Sequence, residues 1–148
     1  MPNWCENDLY IEADKQTIDS IQDGFLAGKL LHTIRPEPQH ENEGDWYEWR
    51  WKHWGTKWEI DTQQADFERI SDTEIRFWFN SAWSPPTFAL DASGLVFTLE
   101  YQESGEGFIG RASRLVVGEN STDETYDVRE APQYLLDAFG IDLTELEI

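Results

Sequence analysis

At 148 residues, with 39% hydrophobic and 14% aromatic side chains, the chain reads as one globular domain over residues 1–148 with a sizeable core. Thirty acidic against 11 basic residues give a formal charge of −19, which disfavours contact with nucleic-acid phosphates or anionic lipid, since both are held by Lys and Arg. The single cysteine, Cys5, excludes an internal disulfide and a four-cysteine cluster. With no signal-peptide pattern and no apolar run of ~20 residues, it predicts a cytoplasmic, non-membrane protein.

Residues 3–13 alternate: Cys5, Asn7, Leu9, Ile11 and Ala13 fall on one face, Trp4, Glu6, Asp8, Tyr10 and Glu12 on the other, which predicts a half-buried strand. Asp14 is placed to cap a helix over about 15–27, with Ile18, Ile21, Phe25 and Leu26 at helical spacing and Gly28 beyond its end. Leu30, Leu31 and Ile34 continue the core until Pro36 and Pro38 stop regular structure. Residues 37–48 are acidic and read as an exposed loop, and 59–70 are weakly patterned. Over 75–83 large residues occupy both faces, which predicts a central strand covered on both sides, with Ser71-Asp72-Thr73 as the turn before it.

Ser84-Pro85-Pro86 ends that strand and starts a helix of at most two turns to about Ala92. Leu95, Phe97, Leu99 and Tyr101 alternate as a strand. Gly105-Glu106-Gly107 supplies a tight turn, and 108–118 return as its partner with Ile109, Leu115, Val116 and Val117. Residues 119–130 read as an acidic loop, 132–139 as a last helix, and Ile141, Leu143, Leu146 and Ile148 as anchors for the tail. The pattern predicts an α+β fold with a βαββαβ core, an antiparallel sheet with helices on one face, an extra strand and a C-terminal helix within an extension over about 119–148.

Five of the eight tryptophans fall within Trp46–Trp58, a short basic island in an acidic chain. As architecture, Trp54, Gly55 and Trp58 lock a long connection onto the sheet, with Trp54 and Trp58 largely buried. As a site, Trp46, Trp49, Trp51, Trp54, Lys57 and Trp58 form a pocket or partner surface, because Trp and Arg dominate interface hot spots. Acids recur at Asp61, Asp66, Glu68, Asp72 and Glu74, and again at Glu119, Asp123, Glu124 and Asp127. His32, His40 and His53 lack the spacing of a metal site. Cys5 reads as a small core residue; a Cys5–His53 nucleophile pair has no third residue to orient the base. Glu100 and Glu103 point to opposite faces of a strand and form no carboxylate dyad, and the Gly105–Gly107 turn is too short for a phosphate loop.

The opening Met1-Pro2-Asn3-Trp4-Cys5-Glu6-Asn7 resembles the start of the YubB ferredoxin-like family of conserved phage- and plasmid-encoded proteins. Four further blocks follow in family order: Ile34-Arg35-Pro36-Glu37-Pro38, Trp54-Gly55-Thr56-Lys57-Trp58, Ala82-Trp83-Ser84-Pro85-Pro86, and Tyr101-Gln102-Glu103-Ser104-Gly105 with Phe108-Ile109-Gly110. The resemblance implies a ferredoxin-like fold and a mobile-element origin; it implies no iron–sulfur cluster and no catalytic residues. One departure is the helix after Ser84-Pro85-Pro86, which is shorter here than the family's and leaves its face of the sheet open or covered by the C-terminal helix.

Together these readings predict a non-enzymatic acidic accessory protein of a phage or plasmid that binds a basic host or element-encoded protein, without metal or cofactor. A sharper form is DNA mimicry against a defence enzyme, with rows of carboxylates in place of phosphates. The alternative is a small-ligand binder or enzyme using the Trp54–Trp58 stretch as its pocket.

Overall fold

A computed structural model describes residues 3–146. The fold is α+β, with a six-stranded antiparallel sheet in the order β2-β3-β1-β4-β5-β6. The strands are β1 (Trp4–Glu12), β2 (Asp66–Ser71), β3 (Glu74–Ala82), β4 (Val96–Glu103), β5 (Phe108–Arg114) and β6 (Thr122–Asp127). Period-two burial makes β1 the hub: Cys5, Asn7, Leu9 and Ile11 face inward between Ile75, Phe77, Phe79 and Ser81 of β3 and Phe97, Leu99, Tyr101 and Glu103 of β4.

Helices α1 (Lys15–Leu26), α2 (Leu30–Ile34) and α4 (Thr87–Ser93) supply the other half of that core through Ile18, Ile21 and Phe25, Leu30, Leu31 and Ile34, and Ala89 and Leu90. Asp14 caps α1 by accepting the Thr17 N–H at 2.7 Å. Gly28 then takes a left-handed turn, φ +75°, that redirects the chain into α2.

The structure differs from the sequence reading in several places. The loop expected over 37–48 runs into a helix, α3 (Asp45–His53), in which Trp46, Trp49, Arg50 and His53 recur at helical spacing and are half-buried. Asp45 and Glu48 at its start and Arg50, Lys52 and His53 at its end suit the helix dipole. Secondly, β5 ends at Arg114, leaving Leu115, Val116 and Val117 exposed. The buried Arg114 guanidinium donates to the carbonyls of Leu95, Asp91 and Glu119, which turns the chain before those residues can pair.

Thirdly, the acidic stretch expected as a loop contains β6, so two strands extend the sheet beyond β4. Its Thr-Asp-Glu-Thr-Tyr-Asp sequence has no apolar alternation, and its backbone bonds to β5 alone define it. Finally, helix α5 (Gln133–Ala138) lies on the face opposite α1, so helices occupy both faces. Ile109, Leu135 and Leu136 are buried, and Arg111 on the same face as Ile109 lies over the Tyr134 ring at 5.8 Å.

Helix α5 packs chiefly against β5, with only its last residue, Ala138, at the rim of the β1–β3 side. Arg76, Trp78 and Asn80 of β3 are therefore half-buried rather than covered, and beside them Glu6, Asp8, Gln63 and Phe139 line an open groove of about 660 Å³. After α5 a single helical turn, α6, covers Leu143–Leu146. The expected tail contact of Ile148, the side chain of Leu146 and the Met1-Pro2 start of the first motif block fall outside the described residues. No helix among the described residues is long and apolar enough to cross a membrane.

Candidate functional site

The five sequence blocks meet as structural joints. Trp54 is buried, and its indole N–H donates to the Arg35 carbonyl at 2.9 Å, joining the third block to the second. The Thr56 hydroxyl donates to the Ala82 carbonyl at 2.7 Å and the Ser84 hydroxyl to the Gly55 carbonyl, which joins the third to the fourth. The Trp83 N–H reaches the Asn3 carbonyl at 2.8 Å, tying the fourth to the first. In the fifth, Tyr101 packs over Gly110, where a Cβ would stand 2.5 Å from the Tyr101 ring carbon Cζ. Buried Glu103 receives both Glu106 and Gly105 N–H groups and closes the turn at Gly107, φ +79°. These roles are architectural: each block fastens one connection to the sheet.

Around Trp54 the island builds a pocket of about 640 Å³ between α2, α3 and the 35–40 connection. Arg50 stacks between Trp46 and Trp54, its guanidinium 5.0 and 4.9 Å from the two ring centres. The same guanidinium grips Glu37 with two bonds, at 3.0 and 2.9 Å, and His40 approaches Glu37 at 2.9 Å. Burial pushes the Glu37 carboxyl up, but the hydrogen bonds from Arg50 and His40 outweigh it and hold the group below the usual carboxylate range. At the pocket floor, burial pushes the Glu59 carboxyl up although it accepts the Leu31, His32 and Ile60 N–H groups at 2.9, 2.9 and 2.8 Å. Both carboxylates and the one stacked cation are thus committed to holding α2 and α3 together.

The remaining island residues face outward to different degrees. Trp49 is half-buried and meets His53 at 4.8 Å and Trp54 edge-on at 5.7 Å. Trp51 touches Tyr47 at 6.2 Å. Trp58 is half-buried rather than largely buried as expected, because its neighbour Trp4 projects from the outer face of β1 and is 44% exposed. Lys57 lies between the rings of Tyr47 and Trp58, at 5.3 and 4.7 Å.

The acids sit on the two edges of the sheet. Asp66 and Glu68 project from β2, Asp72 from its turn and Glu74 from the start of β3, while Asp61 caps a short 3₁₀ turn before β2. Glu119 precedes β6, which carries Asp123, Glu124 and Asp127. Among the described residues none of these nine forms an ion pair, and all but Glu74 are exposed. Five interstrand steps of about 4.8 Å place the two edges roughly 24 Å apart. Carboxylates there also block edge-to-edge pairing with other chains.

The charged cross-strand set on the open face went unread in the sequence. Arg76 forks onto Asp8, with one bond of 2.8 Å, and stands 4.8 Å from the Trp78 ring. Next to Asp8, partial burial raises the Glu100 carboxyl, opposed by Arg111 across from it on β5. The signal was present in the outward positions of β1 and β3, but only the strand order pairs them.

No nucleophile–base pair assembles among the described residues. Burial pushes the Cys5 thiol far above its ordinary range, and its neighbours are Ser81 and the Glu6 carbonyl. His53 instead meets Arg35 at 3.3 Å, and partial desolvation with the Arg35 and Lys52 charges holds it below the usual histidine range. Among the described residues no group of three His, Cys, Asp or Glu side chains could hold a metal ion. No family model matches the chain, and neither a curated protein nor a solved structure matches it.

Proposed function

We propose that this is a non-enzymatic acidic accessory protein, of phage or plasmid origin and of the YubB ferredoxin-like family, that acts by binding a basic protein of the host or of the element. The observation that carries the reading is the double acidic edge: exposed carboxylates on β2, the following turn and β6 that form no ion pair among the described residues. Their potentials add, and the resulting attraction for a basic surface is long-ranged and salt-sensitive. The ferredoxin-like assignment is supported by the β1-helix-β2-β3-helix-β4 order and by the antiparallel neighbours β2-β3-β1-β4. The family assignment is supported by the five sequence blocks, which interlock as joints of one core.

The test is affinity capture followed by salt titration of the recovered partner. Binding should weaken steeply between about 0.05 and 0.5 M salt as the Debye length shrinks, and changing Asp66, Glu68, Asp72 and Glu74 to amides should weaken it at low salt. Salt-insensitive capture that survives the amide variant refutes the proposal. DNA mimicry, its sharper form, requires in addition that the partner bind DNA and that duplex DNA compete. The pocket beside Trp46, Arg50 and Trp54 favours a second reading, a binder of a small aromatic or cationic ligand. In that case a metabolite pool should protect the native protein against urea, and Trp46→Ala should abolish the protection.

A further inference from the structure

We propose that the outer edge of β6 receives an extended basic segment of the partner as an added antiparallel strand of the sheet. This rests on the basic-partner reading above and names the place and the backbone form in which such a partner is held. The edge is bare: every residue of β6 is exposed except Tyr126, which is half-buried. Its register against β5 is unbroken from Phe108↔Asp127 to Ser113↔Thr122. One step beyond Asp127 in that register, the Val128 N–H reaches the Gly107 carbonyl at 2.9 Å, which fixes the alternation of the ladder. Thr122, Glu124 and Tyr126 therefore turn their main-chain groups towards β5, and Asp123, Thr125 and Asp127 turn theirs away. The N–H groups of those three and the carbonyls of Asp123 and Thr125 form no hydrogen bond among the described residues. Open donors and acceptors at this spacing are the template for strand addition.

The opposite edge is unsuited. On β2 the register shifts between Arg69 and Ser71. There the Arg69 guanidinium donates to the Ser71 and Asp72 carbonyls at 2.6 and 3.1 Å and pairs with Asp19 at 3.0 Å, so that edge carries a cation of its own. A bulge and an inserted charge both turn an added strand away.

Side chains select the occupant. Asp123, Thr125 and Asp127 project from one face of β6, and Thr122, Glu124 and Tyr126 from the other. Asp123 accepts the Tyr101 hydroxyl at 2.5 Å and Asp127 the Arg129 N–H at 2.9 Å, which positions both carboxylates without cancelling their charge. The cations of β5 do not oppose this. Arg111 lies across from Glu124, on the face away from Asp123 and Asp127, and the buried Arg114 guanidinium is held by the Asp91, Leu95 and Glu119 carbonyls. Along 119–130, Glu119, Asp123, Glu124, Asp127 and Glu130 outnumber the single cation Arg129. An antiparallel partner strand therefore sets Lys or Arg opposite Asp127 and Asp123, with a β-branched residue midway between them opposite Thr125. A second copy of this chain is the wrong occupant, because its edges are acidic and two chains of net charge −19 repel.

The experiment uses the full chain and three labelled peptides of equal charge that share the core Lys-Tyr-Val-Arg-Lys. The first is unmodified, the second is N-methylated at the valine, whose N–H faces β6, and the third at the tyrosine and arginine, whose N–H groups face away. Fluorescence anisotropy should show the second weakened by about tenfold, the loss of a main-chain bond, and the third bound like the first. In hydrogen exchange the unmodified peptide should slow the amides of Asp123, Thr125 and Asp127 and leave those of Glu124 and Tyr126 unchanged. Thr125→Pro removes an N–H that bonds nothing in the free protein and should weaken the first peptide by a similar factor at an unchanged urea midpoint. If that variant unfolds, the peptide series and the exchange pattern still decide the matter on the native chain. Amides at Asp66, Glu68, Asp72 and Glu74, roughly 24 Å away and beyond a Debye length of about 8 Å, should leave peptide binding unchanged. Equal binding of all three peptides, lost when Asp123 and Asp127 are changed to Asn, overturns strand addition while supporting the acidic-edge reading. Binding of none of them overturns the β6 site, and the salt titration of a captured partner then decides the acidic-edge reading separately.

Discussion

Trp54 and Trp58 sit four residues apart in one motif, yet the structure assigns them different energies. Trp54 is 1% exposed, stacks on Arg50 and donates to Arg35. A fully buried tryptophan hides about 150–250 Å², which at about 25 cal/mol per Å² is roughly 4–6 kcal/mol. Alanine retains a part of that area, and measured aromatic truncations cost about 3–5 kcal/mol. The orphaned Arg35 carbonyl adds about 1 kcal/mol. Trp54→Ala should therefore lose about 4–6 kcal/mol, most of the stability of an ordinary domain. Trp58 is half-buried against Trp4 and Lys57, so Trp58→Ala should lose only about 1–2 kcal/mol on the same area scale. Equilibrium urea unfolding at 25 °C, followed by far-UV circular dichroism, separates the two. In thermal scans Trp58→Ala should lower Tm by only a few degrees, at about 2–4 °C per kcal/mol for a chain of this size. Equal losses, or a loss below about 1.5 kcal/mol at Trp54, would refute the division of the motif into a core ring and a surface ring.

Three further outcomes are expected. Glu37 is held below its ordinary value of 4.5 in the folded state, so the latch it forms with Arg50 and His40 stabilises the fold above that pH and is lost as pH falls through the lowered value. Urea midpoints of the wild type should drop in that acid window, and Glu37→Gln should be weaker at neutral pH while flattening the drop. Gly110→Ala would place a Cβ 2.6 Å from the Glu124 carbonyl as well as against Tyr101; overpacking of about 1–3 kcal/mol should push β6 away, read as faster amide exchange over 122–127. Trp83 is the only non-glycine residue with positive φ among the described residues, at 71°. Trp83→Gly releases that strain and should cost less than about 1 kcal/mol in urea unfolding despite the loss of a large ring.

The chain by itself determined much of the core. Alternation at Cys5, Leu9 and Ile11 and at Phe97, Leu99 and Tyr101, the Asp14 cap and the Gly105–Gly107 turn each rest on neighbours within a few residues, which is where backbone sterics and period-two or period-3.6 burial act. Helix α3 was also written there, in the i, i+3, i+4, i+7 spacing of Trp46, Trp49, Arg50 and His53, but the density of tryptophan masked the period. The tertiary structure alone decided what long-range pairing controls. Strand β6 has no hydrophobic signature and is defined by its bonds to β5; α5 settles on the far face because Ile109 points there; Val116 and Val117 are exposed because Arg114 turns the chain first. The division of the tryptophans was likewise unreadable in order along the chain. Trp54 is inside because the Arg35 carbonyl and the Arg50 guanidinium close over it, whereas Trp58 stays at the surface because the residue it meets, Trp4, is on the outward face of β1.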